Sequence, residues 1–308
     1  MRRLLLPLLL LACEVPPLPA GAGGDRFGRP DFERPTFDYP RTELEPVVEN
    51  IRVATFNLQL FGPSKASNPA AVAEIASIIA RYDLVAVQEI KDVNQQAPYV
   101  LRDALRKQGA PHEMVLSPRT GREPDDNYAQ EQYAFFYDAT KLAVVGSPSL
   151  YDDSLRDRFQ REPHLARFEA VGGSLDVVLV NIHTRPASAL EEIDALSDVA
   201  YDAWQQYGAA SVVVLGDFNA SCSYASPEEL DELDLRDPEY LWVVPDDADT
   251  NVATSSCAYD RIVLWGHAAE AFEGSWGVDV GFEEPGLSDH WPVWADLVNV
   301  TGRSAASP

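Results

Sequence analysis

Short apolar runs alternate with amphipathic segments along the chain from about residue 51. The run from Val212 to Leu215 has no polar interruption, which is typical of a short strand buried on both faces. Asn68 can cap a helix with Pro69 in its first turn, and Ser188 can start another. Further strands are predicted near 52–56, 83–87, 113–116, 132–137, 142–145, 166–171, 175–182, 259–265 and 291–297, with a third helix near 94–108. The inner faces predicted for the two capped helices contain Ala71, Ile75, Ile78 and Ile79, and Leu190, Ile193, Leu196, Val199 and Tyr201.

Polar residues recur where these apolar runs begin or end. Four runs end in Asn57, in Glu89, in His183 and in Asp217 followed by Asn219, and two begin with Asp260 and with Asp289-His290. Polar groups at the ends of buried strands collect along one rim of a sheet, where binding sites form. Because they occur at both starts and ends, the strands must be mixed or antiparallel, which predicts an α+β fold of two packed sheets with outer helices. Six such groups with acid, amide and imidazole chemistry favour a catalytic rim over ordinary strand ends.

The motif Gly216-Asp217-Phe218-Asn219 follows the most apolar of these runs. Its carboxylate and amide, one residue apart, can offer two oxygens to one divalent cation, and Mg²⁺ prefers oxygen ligands. The same four residues can also close a strand as an Asp–Asn turn. The motif alone does not decide between the two interpretations.

Composition narrows the class of protein. A chain of 308 residues with 46% hydrophobic residues can bury a substantial core in one large domain. It carries 49 acidic and 24 basic residues, a formal net charge of −25. Proteins that bind nucleic acid through bulk electrostatics are basic, so this chain is expected to repel DNA at long range. Any role on nucleic acid therefore needs metal ions and a few well-placed Arg or Lys side chains.

The N-terminus reads as an export signal over residues 1–20, with two arginines followed by a short leucine-rich stretch. This stretch is too short to span a bilayer as a helix. The residues Leu10-Leu11-Ala12-Cys13 are similar to a bacterial lipoprotein cleavage box, which would leave Cys13 lipidated as a membrane tether. The alternative is an ordinary signal that is cut near Ala20 or Ala22. Either way, the mature protein is predicted to be secreted, periplasmic or lipid-anchored.

One domain is predicted beyond this signal. Residues 21–49 are rich in Pro and Gly and form a linker, residues 50–300 form the domain, and 301–308 form a tail. Three cysteines are present, and removal or lipidation of Cys13 leaves Cys222 and Cys257. An even number in an oxidising compartment predicts a Cys222–Cys257 disulfide.

Six segments of this domain resemble motifs of the endonuclease/exonuclease/phosphatase superfamily. They are IRVATFNLQLFG (51–62), YDLVAVQEIKD (82–92), IHTRP (182–186), GDFNASCSY (216–224), CAYDRI (257–262) and SDHWP (288–292). Residues 242–260 and Arg161-Glu162-Pro163 are further similar to the deoxyribonuclease I-like branch, which has a disulfide where both cysteines fall. The resemblance spans about 51–297 and implies a four-layer αββα sandwich. It also implies Mg²⁺- or Mn²⁺-dependent endonucleolytic cleavage of double-stranded DNA to 5′-phosphate ends, with little sequence preference.

The resemblance assigns roles by position. The implied metal ligands are Glu89, Asn57, Asp217 and Asp289, and Asp217 and Asn219 also stand at the scissile phosphate. His290, oriented by Asp260, is similar to the group that activates water, and His183, paired with Glu131, is similar to the acid at the leaving oxygen. Two imidazoles held by carboxylates can divide the proton transfers of phosphodiester cleavage near neutral pH. The remaining histidines, which are expected at the surface or the core edge, are His112, His164 and His267.

The same resemblance implies DNA contacts and structural calcium. The implied DNA contacts are Arg161, Tyr224, Arg122 and Asn219, with a solvated surface charge as the alternative for each arginine. Gln59 and Lys91 stand where the branch has arginines, which predicts weaker phosphate contacts. One implied Ca²⁺ site contains Asp153, Asp157, Phe159 and Glu162, and the second contains Asp249, Asn251, Ala253 and Ser255. Ala253 brings no side-chain oxygen, so the second site is expected to be weak or empty, and an acidic turn without an ion is the alternative.

Three functions remain to be separated. The first is a nuclease, expected to be monomeric and without a stable protein partner. The second is a phosphodiesterase of the same fold acting on a lipid or sugar phosphate, such as a sphingomyelinase. The third is a catalytically silent binding protein, which would be expected to lack one of His183, His290, Glu89 or Asp217. The segment around Cys257 favours the nuclease.

Overall fold

The computed structural model describes residues 47–121, 128–209, 211–284 and 286–301. Its strands are β1 (Val47–Phe61), β2 (Leu84–Ile90), β3 (His112–Leu116), β4 (Gln132–Asp138), β5 (Leu142–Leu150), β6 (His164–Ala170), β7 (Asp176–His183), β8 (Ser211–Asp217), β9 (Tyr240–Trp242), β10 (Asp260–Gly266), β11 (Phe272–Val278) and β12 (Val293–Thr301). Its α-helices are α1 (Pro63–Ala66), α2 (Pro69–Ile79), α3 (Ala97–Lys107), α4 (Ala189–Tyr207), α5 (Pro227–Leu230) and α6 (His267–Glu270), and single 3₁₀ turns lie at Pro186–Ser188 and Asp234–Arg236.

The strands form two mixed sheets of six strands each. The first has the order β11-β12-β1-β2-β4-β3, and the second has the order β5-β6-β7-β8-β10-β9. Each sheet contains one parallel pair near its centre, β1 with β2 and β7 with β8, and its other pairs are antiparallel. The predicted α+β fold of two packed mixed sheets is confirmed.

Three apolar layers hold the sandwich together. The layer between the two sheets includes Leu84 and Leu179. Ile75 on α2 belongs to the layer outside the first sheet, and Ile193 and Leu196 on α4 belong to the layer outside the second. Because the central strands are covered on both faces, they carry continuous apolar runs, which is why the sequence signals them clearly.

The helices agree with the cap predicted at Asn68, with the start predicted at Ser188 and mostly with the predicted faces. The Asn68 side-chain oxygen accepts from the backbone N–H of Ala70 at 3.0 Å, as an N-cap does. On α4 the prediction for Tyr201 is wrong, since 49% of it is exposed. Ala200 and Ala203 take the inner face instead, because small side chains let the helix lie close to the sheet.

Two strands have no counterpart in the sequence prediction. They are β9 and β11, and both lie at an edge of their sheet. An edge strand is covered on fewer sides, so its sequence needs no apolar run. In β11 the burial pattern is only partial, with no fully buried residue.

The predicted domain limits need a small correction. β1 begins at Val47, inside the predicted linker, and pairs with Thr301, inside the predicted tail. The residues from Val47 to Asn50 are exposed and held by backbone pairing, so no apolar signal marks them. The predicted signal, Cys13, the linker up to residue 46 and the tail from 302 lie outside the described residues. Within the described ranges, no helix is long and apolar enough to cross a membrane.

The predicted disulfide is confirmed. Cys222 and Cys257 are bonded, with their Cα atoms 5.7 Å apart. The bond connects the segment after β8 to the segment before β10. In the chain-entropy model a crosslink across 35 residues stabilises the fold by about 3–4 kcal/mol.

The prediction that three histidines lie at the surface or core edge is wrong for two of them. His112 and His164 are buried, and His267 is exposed. The His164 ring stacks on Phe135 with ring centroids 5.1 Å apart. Burial lowers the pKa of His164 to about 3, because an imidazolium at this position would be cut off from water.

We expect His164 to make stability depend on pH. The unfolded chain takes up a proton near pH 6.5 and the folded chain only near pH 3, so acidification favours unfolding. Between pH 7 and pH 5 the free energy of unfolding should fall by about 2 kcal/mol more in the wild type than in His164→Leu. Urea denaturation at both pH values measures this, with His267→Leu as the exposed control. An equal pH dependence of the free energy of unfolding in the wild type and His164→Leu would contradict the lowered pKa of His164.

Candidate active site

Strand register brings three of the predicted residues into one row. On the second sheet His183 of β7 lies opposite Asp217 of β8, which in turn lies opposite Asp260 of β10. The first sheet contributes Asn57 from β1 and Glu89 from β2. These groups meet at one rim of the sandwich, as the positions at strand starts and ends predicted.

Asn57 connects the two sheets at this rim. Its amide nitrogen donates to Glu89 Oε1 at 3.1 Å and to Asp217 Oδ2 at 3.0 Å. Its amide oxygen accepts from the backbone N–H of Gln59 at 2.8 Å, so the network sets the amide orientation. Asn57 thus turns its donor toward the carboxylates and holds them together, and its role as an oxygen ligand stays a prediction.

His183 is held by a buried carboxylate. Its Nδ1 lies 3.1 Å from Glu131 Oε1, and its Nε2 lies 3.5 Å from Asp217 Oδ2. Burial would raise the pKa of Glu131, but the charges of His183 and Arg161, with Lys91 Nζ at 3.2 Å, lower it to about 2. A carboxylate that stays ionised keeps the proton of the ring on Nδ1 and turns Nε2 toward the centre of the site.

His290 is held in the same way from the other side. Its Nδ1 lies 2.8 Å from Asp260 Oδ2, and its Nε2 lies 3.5 Å from Asp217 Oδ2. Burial alone would lower the pKa of His290, but the charges of Asp260, Asp217 and Asp289 raise it to about 10. Burial raises the pKa of Asp260. The two histidines thus point their Nε2 atoms at one oxygen of Asp217.

The residues around Asp217 fit a divalent cation. Ligand atoms of Asp217, Asp260 and His290 all lie within 4.8 Å of one another, and Glu89 joins them through Asn57. Burial would raise the pKa of Asp217, but both histidines and the N–H groups of Asn219 and Asn57 lower it. A buried group with this much acidic charge and mostly oxygen donors suits a hard divalent cation. Asp289 is exposed at the edge, 3.8 Å from His290 Nε2.

The backbone at the rim is strained. Glu89 and Asn219 have φ values of 59° and 49°, in the left-handed region that non-glycine residues avoid. Such conformations cost about 1–3 kcal/mol each and persist where the surroundings enforce them, often at functional sites. Gly216 is required for a different reason, because a Cβ there would lie 1.9 Å from the carbonyl oxygen of Ile182 on the neighbouring strand.

Comparison with known proteins agrees with this geometry. The model of the Endonuclease/Exonuclease/phosphatase family matches residues 54–290. The chain belongs to this family. Deoxyribonuclease-1 of Mus musculus is 35% identical over 265 residues, covering 80% of this chain and 91% of that enzyme. Deoxyribonuclease gamma of Rattus norvegicus is 37% identical over 263 residues, covering 79% and 83%.

Solved structures of this family share the fold. An endonuclease/exonuclease/phosphatase from Bacteroides vulgatus superposes with a TM-score of 0.57 at 19% identity. The match covers 81% of this chain and 98% of that protein. At this identity the likeness concerns the fold alone.

Arg161 is buried rather than solvent-exposed. It is 5% exposed, and it donates to the carbonyl oxygens of His183 at 2.9 Å and Thr184 at 2.7 Å. The alternative of a solvated surface charge is therefore wrong, and the phosphate contact stays a prediction. The buried guanidinium is stabilised by these carbonyl oxygens and by the charge of Glu131, whose Oε2 lies 3.8 Å from Arg161 Nε. Arg122, the other predicted arginine, lies outside the described residues.

Of the other predicted substrate contacts, Tyr224 is partly exposed and Asn219 is buried. Tyr224 is 40% exposed, and its ring lies 5.7 Å from that of Tyr259, which lies 6.0 Å from that of His290. Asn219 donates to the carbonyl oxygen of Thr184 at 3.1 Å. Tyr259 was missed in the sequence, although its place directly before Asp260 was a usable signal.

Two hydroxyl groups that support the histidines were also missed. Thr250 Oγ1 donates to Asp260 Oδ2 at 2.8 Å, and Ser288 Oγ donates to the carbonyl oxygen of Asn57 at 2.6 Å. The backbone N–H of His290 donates to Ser288 Oγ at 3.1 Å. Ser288 stands in the recognised motif, but its partner is 231 positions away, so the sequence could not reveal the contact.

The predicted calcium residues form local turns in this structure. Asp153 accepts from the backbone N–H of Phe159 at 2.8 Å, and Glu162 accepts from the Thr120 hydroxyl. Asn251 accepts from Ala253 N at 2.7 Å, and its amide donates to the Asp249 carboxylate and the Ser255 carbonyl. Asp157 is exposed. The one cluster of three metal-ligating side chains in the described part of the chain is that of Asp217, so calcium binding stays a prediction.

We expect Arg161 to be a major contributor to stability. Arg161→Met would remove one donor from each of the carbonyls of His183 and Thr184, of which Thr184 keeps the Asn219 amide, and would leave Glu131 with less positive charge. Breaking a buried ion pair from one side costs about 3–5 kcal/mol, and we expect the lower end because Lys91 remains. Urea denaturation measures the loss, with the exposed Arg156→Met as control, for which about 0–1 kcal/mol is expected. Equal losses in both variants would contradict the buried role.

Proposed function

We propose that this protein is an endonuclease that hydrolyses phosphodiester bonds of double-stranded DNA to 5′-phosphate ends in a Mg²⁺- or Mn²⁺-dependent reaction. One observation carries the proposal above the others. Two imidazoles, each held at Nδ1 by its own carboxylate, aim Nε2 at the same oxygen of Asp217 from opposite sides, both at 3.5 Å. The 35% identity to a deoxyribonuclease along most of the chain supports DNA as the substrate.

This pairing supplies the two proton transfers of phosphodiester hydrolysis. The oxygen of a water molecule forms a bond to phosphorus while the bond from phosphorus to the 3′-oxygen breaks. His290 Nε2 takes the proton from the water, and protonated His183 gives its Nε2 proton to the leaving 3′-oxygen. This assignment of the base to His290 and of the acid to His183 follows the resemblance to the superfamily. Asp260 and Glu131 keep each ring in the tautomer that presents Nε2.

The acidic groups around Asp217 would hold the cation. The residues assigned to it are Glu89, Asp217 and Asp289, with Asn57 holding the first two in place. When bound, a divalent cation offsets this negative charge, stabilises the phosphoryl oxygens and lowers the pKa of His290 toward the neutral range. Asn219, through its amide, and Tyr224, through its exposed ring, are assigned to the DNA strand beside the scissile bond.

The charge of the protein argues for weak DNA binding. The net charge is −25, and Arg161 and Lys91 are both engaged by Glu131 rather than free to attract phosphate. We therefore propose low affinity and little sequence preference, with catalysis depending on the bound cation.

Plasmid nicking tests this function. We expect relaxation of supercoiled plasmid with Mg²⁺, none with EDTA, and a rate at least about 100-fold lower in His183→Ala, because general acid catalysis contributes about 10²–10⁴-fold. His267→Ala is the matched control. It replaces an exposed histidine at the opposite end of β10 from Asp260 and should be fully active. Nicks with 5′-phosphates should be resealed by DNA ligase. Turnover of sphingomyelin or a sugar phosphate without DNA cleavage would favour the phosphodiesterase, and inertness toward all three would favour a binding protein.

We also propose that the protein acts outside the cytoplasm. The disulfide supports an oxidising compartment. The export signal and a lipid on Cys13 rest on the sequence alone. Intact-mass measurement of the exported protein tests both: cleavage before Cys13 with an added acyl mass means a membrane tether, cleavage near Ala20 means free secretion, and an uncut chain contradicts export.

A further inference from the structure

Lys65 lies beside the site, yet its ammonium group is turned into the protein. It donates to the carbonyl oxygens of Leu58 at 2.9 Å, Gln59 at 2.5 Å and Leu287 at 2.7 Å. A lysine ammonium has three N–H donors, so these contacts use all of them. Two acceptors directly follow Asn57, and the third directly precedes Ser288. Lys65 therefore ties together two segments of the site, the more distant of them 222 positions along the chain.

The first of these segments is held in an unfavourable conformation. Gln59 and Leu60 have φ values of 43° and 55°, so two consecutive non-glycine residues are left-handed. Leu60 is 62% exposed, so burial of its side chain does not offset the cost of the left-handed conformation. The conformation turns the N–H of Gln59 to Asn57 Oδ1 and the N–H of Leu60 to Glu89 Oε2, both at 2.8 Å. The strained turn thus orients the two side chains that the first sheet contributes.

The second segment carries Asp289 and His290. Ser288 donates to the carbonyl oxygen of Asn57, and the N–H of His290 donates back to Ser288. The Lys65 contact with Leu287 anchors the start of this segment to the same strained turn. One ammonium group therefore contacts both the turn that orients Glu89 and the segment that carries Asp289.

We propose that Lys65 is a positioning residue that clamps residues 57–60 to residues 287–290, so that Glu89 and Asp289 face the same divalent cation. This inference rests on the proposed cation-dependent hydrolysis. A direct phosphate contact is the competing role, but it would require Lys65 to give up a backbone carbonyl. The two roles predict opposite changes in metal affinity when Lys65 is removed. Loss of a nearby positive charge by itself favours cation binding, whereas loss of the clamp weakens it.

The test compares Lys65→Met with Lys141→Met, which removes one charge from the opposite end of β1 and β2. Mn²⁺ binding is measured by electron paramagnetic resonance without DNA, after circular dichroism has verified folding. We expect about 10-fold weaker Mn²⁺ binding in Lys65→Met, as for other residues that orient metal ligands, and no change in Lys141→Met. The kcat of plasmid nicking should fall while KM and the salt dependence of DNA binding stay unchanged.

A chemical rescue keeps the test decisive if Lys65→Met folds poorly. Lys65→Cys treated with 2-bromoethylamine regains an amine at nearly the original reach, whereas iodoacetamide adds a neutral amide. Only the amine form should regain Mn²⁺ affinity and kcat.

Two results would overturn the clamp. The first is unchanged or tighter Mn²⁺ binding in Lys65→Met. The second is weaker DNA binding with a salt slope reduced by about one and normal Mn²⁺ binding, which would make Lys65 a phosphate contact. Mn²⁺ binding needs no DNA, so a wild type that binds Mn²⁺ but cuts no DNA would refute the proposed function and leave the clamp standing.

Discussion

The Asn57 amide donates to Glu89 on its own sheet and to Asp217 on the other, and so links two sheets that meet mainly through apolar side chains. Apolar packing brings the sheets together strongly but has little directional preference. The site needs directional control, because both sheets contribute residues to it. A second polar bond below it, from Gln88 to Asn181 at 2.7 Å, also crosses between the sheets in the buried core. Buried polar pairs of this kind are costly unless satisfied, and they set one register.

The two halves of the site differ in how their charge is balanced. Glu131, behind His183, has Arg161 and Lys91 as neighbours and remains an ordinary buried anion. Asp217 and Asp260, around His290, have histidines as their ion-pair partners in the described chain. The negative charge of the first half is therefore balanced within the protein. The second half is left with excess negative charge, and this imbalance is the physical reason that a cation belongs there.

Much of the fold was readable because burial shapes the sequence. The strands that carry the site are covered on both faces and appear as apolar runs, and the polar residues at their ends stand out by contrast. The edge strands β9 and β11 were not readable, because partial exposure removes the constraint. The inner face of α4 was misjudged at Tyr201, since periodicity alone does not say that alanines must approach the sheet.

For the site, the sequence alone determined which chemical groups stand at the strand ends and that two histidines and several carboxylates are available. The resemblance added the pairing of His183 with Glu131 and of His290 with Asp260. Only the tertiary structure decided where each donor points. In the folded chain the Asn57 nitrogen donates to the carboxylates, the Arg161 guanidinium is buried, and every N–H of the Lys65 ammonium donates to a backbone carbonyl. Side-chain periodicity is a local property, so it can be read from the sequence. The direction of a hydrogen bond depends on partners that only folding brings within reach.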